Sequence, residues 1–269
     1  RVQEDRQRAQ VIAQVNTPRQ RQRFLNACRG KLCCGATLPL ALQLLGKAQP
    51  GRFFAGPTLA LDIGGRTAWA AGHANPEELA SFLNFCGCRA VILDEAECPP
   101  PVGWQKTCDH TIFGLAAGEQ LPLPAQTEAQ KALWDSLTFV EDPASGPVAE
   151  NLFPDRPARR DDFYSELCTK RSRGKALVWT LEQGGNIVCT VGAYALCNGQ
   201  AYMACGQTAE ALRGQRVGGR LIVQMANALS AQGDQPVFLC SPERVHFYTQ
   251  LGFHPLGTLA RYESPIGKD

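Results

Sequence analysis

Apolar positions along the chain keep switching period, and the switches fall in the same order twice. In the second half, KALVWTLEQGGNIVCTVGAYALCNGQAYMACGQT carries apolar runs that turn at Gly184 and Gly185 and again near Asn198 and Gly199, which predicts antiparallel strands. Val217, Leu221, Ile222, Met225 and Leu229 then recur at helical spacing, and PVFLC follows as a short apolar strand. A second short helix closes this stretch before Phe253. In the first half, LALDIGGRTAWAAG turns at Gly64 and Gly65. Pro76 opens a helix with acidic residues in its first turn, and RAVILDE reads as a buried strand. Each half therefore runs hairpin, helix, strand, which predicts a duplicated α/β fold of the α+β kind with a mixed sheet.

The remaining stretches frame these halves. Residues 1–30 are dense in Arg and Gln, and Val11, Ile12, Val15, Phe24 and Leu25 are spaced for one or two leading amphipathic helices. Apolar content rises over 38–45. Residues 118–160 are rich in Pro, Ala, Asp and Glu and hold the boundary, placed near 126 because 137–140 reads as a first strand. Helices are expected near 148–153 and 161–170. The domains are thus 1–125 and 126–269.

Composition narrows the class. A chain of 269 residues with 44% apolar content and a formal charge of +2 is an ordinary globular protein, and nothing favours nucleic acid, since Glu4 and Asp5 interrupt the basic arm. No run of 18 apolar residues appears, so no membrane segment is expected and the protein reads as cytoplasmic. Twelve cysteines are scattered through apolar segments of a chain too large for a disulfide scaffold, and they read as reduced, buried small hydrophobes. No C-x-x-C occurs, and His73, His110, His246 and His254 do not cluster, so no metal site is expected.

The chemistry concentrates before the helix at 217. Gly214, Gly218 and Gly219 permit tight turns and close backbone approach, while Arg213, Arg216 and Arg220 crowd cations against the positive end of a helix dipole. An anion there would relieve the repulsion, and free helix-start N–H groups with nearby guanidinium groups suit a phosphate. The nucleotide P-loop needs GxxxxGK[ST] and the dinucleotide loop needs GxGxxG with a later acidic residue; neither pattern is present.

The run R-G-Q-R-V-G resembles the acyl-CoA pyrophosphate loop of the GNAT N-acetyltransferase superfamily, [QR]-x-x-G-x-[GA], and F-Y-T-Q-L-G-F resembles its fourth-helix signature. Arg216 stands where the family pattern has its middle glycine. The resemblance implies a GNAT fold over 136–262, and a first half that is a degenerate GNAT-like domain with GHANPEEL in place of the cofactor loop. It also implies acetyl-CoA, its pyrophosphate on Arg213, Gly214, Gln215, Arg216, Val217, Gly218 and Gly219 with Arg220 adjoining. The pantetheine arm would then run along the strand that ends at Gln207 and Thr208.

By the same resemblance, an amine of a small molecule or peptide attacks the thioester directly. Tyr248 falls where the family has a tyrosine near the CoA sulfur and could protonate the departing thiolate, with a core aromatic as its alternative role. Ser241 sits where relatives often have Asn, and its alternative role is to cap the turn after Pro242. No base stands out, because Glu210, Glu166 and Asp161 all read equally as surface charges, and Cys205 lacks a paired His. The alternative is a non-catalytic CoA-binding sensor or an interaction protein. The short stretch after FHPLGTLARYES leaves little room for a closing hairpin, so the first half is expected to cover that sheet edge.

Overall fold

The computed structural model describes residues 11–265. They form two compact units of interleaved sequence: 11–112, 239–245 and 256–265 in the first, and 113–238 and 246–255 in the second.

The first unit opens with β1 (Ala13–Gln14) and α1 (Pro18–Cys28). Residues 11–15, expected to be helical, hold the short strand Ala13–Gln14 instead. Thr17 and Gln20 form a reciprocal capping box and Pro18 takes the first helical position, so the helix cannot begin earlier. The residue before a proline is sterically driven out of the helical region. Residues 1–10 lie outside the described residues. Next comes α2 (Cys34–Leu45), CGATLPLALQLL, an apolar helix buried over most of Cys34–Leu42.

Strands β2 (Phe53–Ala55), β3 (Thr58–Gly64) and β4 (Thr67–His73) pair antiparallel in sequence order. After α3 (Pro76–Phe85) the chain enters β5 (Ala90–Leu93), every residue of which is buried. β5 pairs parallel with β4 over Thr67–Trp69. Leu59, Leu61, Leu79, Leu83, Val91 and Leu93 form the core between sheet and helix. β6 (Gln105–Gly114) was not anticipated, because its first half, QKTCD, is polar and largely exposed.

The second unit adds α4 (Glu128–Asp135), β7 (Thr138–Val140), α5 (Ser145–Leu152) and α6 (Pro157–Arg171). Then follow β8 (Leu177–Gln183), β9 (Asn186–Cys197) and β10 (Gln200–Thr208), a meander turning where the paired glycines and Asn198–Gly199 stand. α7 (Val217–Ala231) leads to β11 (Gln235–Cys240), which pairs parallel with β10, and α8 (Val245–Gln250) follows. Val148, Leu167, Val178 and Tyr194 pack α5 and α6 on the sheet.

The last strand, β12 (His254–Glu263), returns to the first unit, where Ala260–Glu263 pair antiparallel with β5. The C-terminal stretch therefore supplies one long strand rather than a hairpin. No helix among the described residues is long and apolar enough to cross a membrane. The cysteines whose side chains are described are free thiols.

Candidate functional site

The loop before α7 is held in an unusual backbone. Gly214 has φ +77°, and Arg216, the N-cap, has φ 61° and ψ 7°, the left-handed region that glycine enters without penalty. Arg216 thus adopts the conformation that the glycine of the resembled motif would supply. No side chain caps the helix, and its first bond runs from Arg220 N–H to Arg216 O at 3.1 Å. The preceding N–H groups of 217–219 are those that a helix cannot satisfy internally.

Each arginine is positioned by a contact that leaves its charge unneutralised. Arg213 Nε donates to Thr208 O at 3.3 Å, and Arg216 Nη1 donates to Ala125 O at 2.7 Å. The Arg220 guanidinium lies over the Trp134 ring at 5.1 Å, and its buried Nε has no hydrogen-bond acceptor. Among the described residues none of the three pairs with a carboxylate. An uncapped helix start ringed by unpaired guanidinium groups is an anion site in waiting.

Two glycines bring the surrounding elements close. A Cβ on Gly218 would lie 2.4 Å from Thr208 Oγ1, so α7 packs directly on the end of β10. A Cβ on Gly219 would lie 3.0 Å from Leu251 Cδ2 and 3.6 Å from Phe247 Cζ, which sets the helix carrying Tyr248 against the same loop. β10 and β11 pair only at Gln200–Tyr202 and then part. Tyr248 rests where they part: its half-buried ring lies 4.6 Å from that of Phe238, the first β11 residue beyond the ladder. Phe113, Phe247 and Phe253 complete the aromatic cluster around it. The register of β10 with β9 shifts between Tyr202 and Met203 and again between Ala204 and Gln207.

The other expected residues are placed as follows. Gln207 Nε2 donates to Asn151 O at 3.2 Å, and Thr208 Oγ1 lies 3.4 Å from Cys189 Sγ. Ser241 makes no capping bond to the turn after Pro242; its hydroxyl donates to Glu243, and it belongs to the first unit. Of the carboxylates weighed as bases, Glu166 pairs with Lys170 at 2.7 Å and Asp161 with Arg160 at 3.5 Å. Sequence reading missed Trp134, Asn151 and the strap 116–125. The strap is fixed along α7 by Ser230 Oγ to Glu119 O at 2.7 Å, Asn227 Nδ2 to Leu121 O at 2.8 Å and the Arg216 bond. One signal existed: Thr127 and Gln130 spell the capping box that starts α4 and so places Trp134.

No family model and no curated protein matches the sequence. Solved structures do. A GCN5-related N-acetyltransferase from Kribbella flavida is 16% identical with a TM-score of 0.58, over 86% of this chain and 96% of that one. A GCN5-related N-acetyltransferase from Sphaerobacter thermophilus is 13% identical with a TM-score of 0.59, over 89% and 90%. A tandem GNAT protein from the clavulanic acid biosynthesis pathway is 12% identical with a TM-score of 0.61, over 96% and 98%. The chain has the tandem GNAT fold. At these identities the likeness is one of fold.

Within that GNAT fold the two units share a parallel strand pair that opens after three paired residues, β4 with β5 and β10 with β11. They differ at the helix that follows the first strand of each pair. Asn75 closes the start of α3 by accepting the N–H groups of Glu77 and Glu78, both at 3.0 Å, and those two residues add negative charge. The start of α7 is uncapped and basic.

Proposed function

We propose that the protein is an acetyl-CoA-dependent N-acetyltransferase whose second half, 126–269, binds the cofactor, while 1–125 is the half without a cofactor loop. The observation that carries this reading is the uncapped start of α7, with Arg216 in a left-handed conformation and Arg213, Arg216 and Arg220 unpaired by any described carboxylate. The N–H groups of Val217, Gly218 and Gly219 hold the pyrophosphate, with Arg213, Gly214, Gln215, Arg216 and Arg220 around it. Gln207 and Thr208 on β10 border the arm. Acetyl-CoA supplies the activated acyl group as a thioester.

Beyond Tyr202, where β10 has parted from β11, its backbone on that edge can pair with an extended arm, and one such N–H polarises the carbonyl. The neutral amine of a small molecule or peptide forms the new C–N bond as the C–S bond breaks. Tyr248 gives its hydroxyl proton to the departing thiolate, and water takes the proton released by the amine.

Thermal unfolding with and without acetyl-CoA tests this, beside the Arg216→Glu, Gly218→Asp double variant. Ligand at 100 times its dissociation constant should add about 2.7 kcal/mol to the parent, seen as a rise of several degrees, and nothing to the variant. A parent that fails to respond sinks the reading. A parent that responds yet acetylates no amine in a broad screen is the non-catalytic CoA-binding protein.

A further inference from the structure

The first unit holds a cavity of about 180 Å³ at the place where its own parallel strands part. The β4–β5 ladder ends at Trp69 and Ile92, and Gly72 on one side and Asp94 and Glu97 on the other line the opening beyond it. The divergence is fixed by the backbone. Gly72 has φ +86°, and a Cβ there would fall 1.9 Å from Thr58 O, so only glycine fits.

This cavity is not a second copy of the phosphate site. Asn75 already satisfies the helix start of α3, and Glu77 and Glu78 would repel a diphosphate. Glu78 is itself engaged, its Oε1 accepting the Ile12 N–H at 3.1 Å.

The charge lining the cavity is negative. Lys31 is ion-paired with Glu97, which leaves the Asp94 carboxylate in excess, one lysine against two acids. Asp94 Oδ1 accepts the Ala96 N–H at 2.9 Å, which fixes its direction without neutralising it. Two buried thiols in the wall respond to this field. Burial first, and then the carboxylates Asp94, Asp62 and Glu97, push the Cys34 thiol up to about 12. Burial, with Asp94 and Glu97 adding, pushes Cys98 up to about 11. The rest of the wall includes Ile112 and Leu259, so the site joins an anionic rim to an apolar floor. Its volume equals the share of about six liquid waters, below the ~300 Å³ at which drug-sized pockets begin.

We propose that this cavity binds a small primary ammonium ligand with a short aliphatic tail, its cation on Asp94 and its tail on Ile112 and Leu259. The site is separate from the proposed acetyl-CoA loop and does not depend on it.

Three probes of equal tail and different head decide the matter: n-butylammonium, n-butyrate and n-butanol, each titrated against the full chain by saturation-transfer NMR. Butylammonium should bind saturably and the other two should not. Asp94→Asn, which keeps the acceptor for Ala96, should weaken butylammonium about tenfold. Gly257→Leu should abolish binding by filling the floor, since a Cβ at Gly257 already reaches 3.7 Å from Ile112 Cδ1. Circular dichroism on both variants checks that the fold is kept. If Gly257→Leu unfolds, the isosteric Asp94→Asn carries the test alone. Preference for butyrate, equal binding of butanol, absence of saturable butylammonium binding, or undiminished binding in a folded variant overturns the proposal.

Discussion

Arg216 concentrates the conflict that makes the candidate site. Its left-handed backbone carries a steric cost of about 1–2 kcal/mol for a residue with a Cβ, and its guanidinium is drawn to Ala125 O rather than to a carboxylate. Replacing it by Ala or by Gly removes the guanidinium in both cases but relieves the backbone only in the second. Arg216→Gly should therefore be more stable than Arg216→Ala by about 1 kcal/mol in urea unfolding, after glycine's own entropy is offset. Equal stabilities would mean that the loop relaxes freely and that its shape is not held. The residue identities at the loop were readable in sequence, since glycines and arginines before a helical period announce themselves. The φ of Arg216, the destination of its side chain and the Trp134 ring beneath Arg220 were not, because each depends on residues distant in sequence.

Elements meet at this site through small residues. Helix propensity favours Ala over Gly at 218 by about 1 kcal/mol, but the added methyl would press on Thr208 Oγ1 at 2.4 Å. Overpacking of about 1–3 kcal/mol should win, so Gly218→Ala lowers the unfolding midpoint and weakens acetyl-CoA binding. Adding Thr208→Ala should restore the midpoint, because the next contact is an ordinary 3.6 Å; failure of that rescue would place the strain elsewhere. The strap along α7 gives an acid-dependent contribution. The Ala116 N–H first, then His254, hold the Glu119 carboxyl below the usual carboxylate range. A lowered folded value contributes stability above the ordinary Glu value of about 4.3, lost as pH falls through the lowered one. Stability measured from pH 6 down to pH 3 should therefore fall less in Glu119→Gln than in the parent.

For the whole molecule, the decisive fact is that the sequence halves are not the compact units. β12 lies late in the sequence, yet its neighbours in the sheet are β5 and β6, with Leu259, Ala260 and Tyr262 buried. Fragment 126–269 would leave that strand without either neighbour, and it should aggregate when expressed alone, as size exclusion with light scattering would show. A monodisperse fragment would mean that β12 finds another edge. The sequence by itself determined the hairpins, the capped helix starts, the repeated order of elements and the arginine–glycine loop. These are local patterns, set by steric and capping preferences within a few residues. Only the tertiary structure decided that Ala13–Gln14 is a strand, that polar β6 exists, that β12 pairs with β5, and that the parallel strands of each unit part after three pairs. Strand partners and side-chain destinations are chosen by which surfaces the rest of the chain leaves exposed, and no local period encodes that choice.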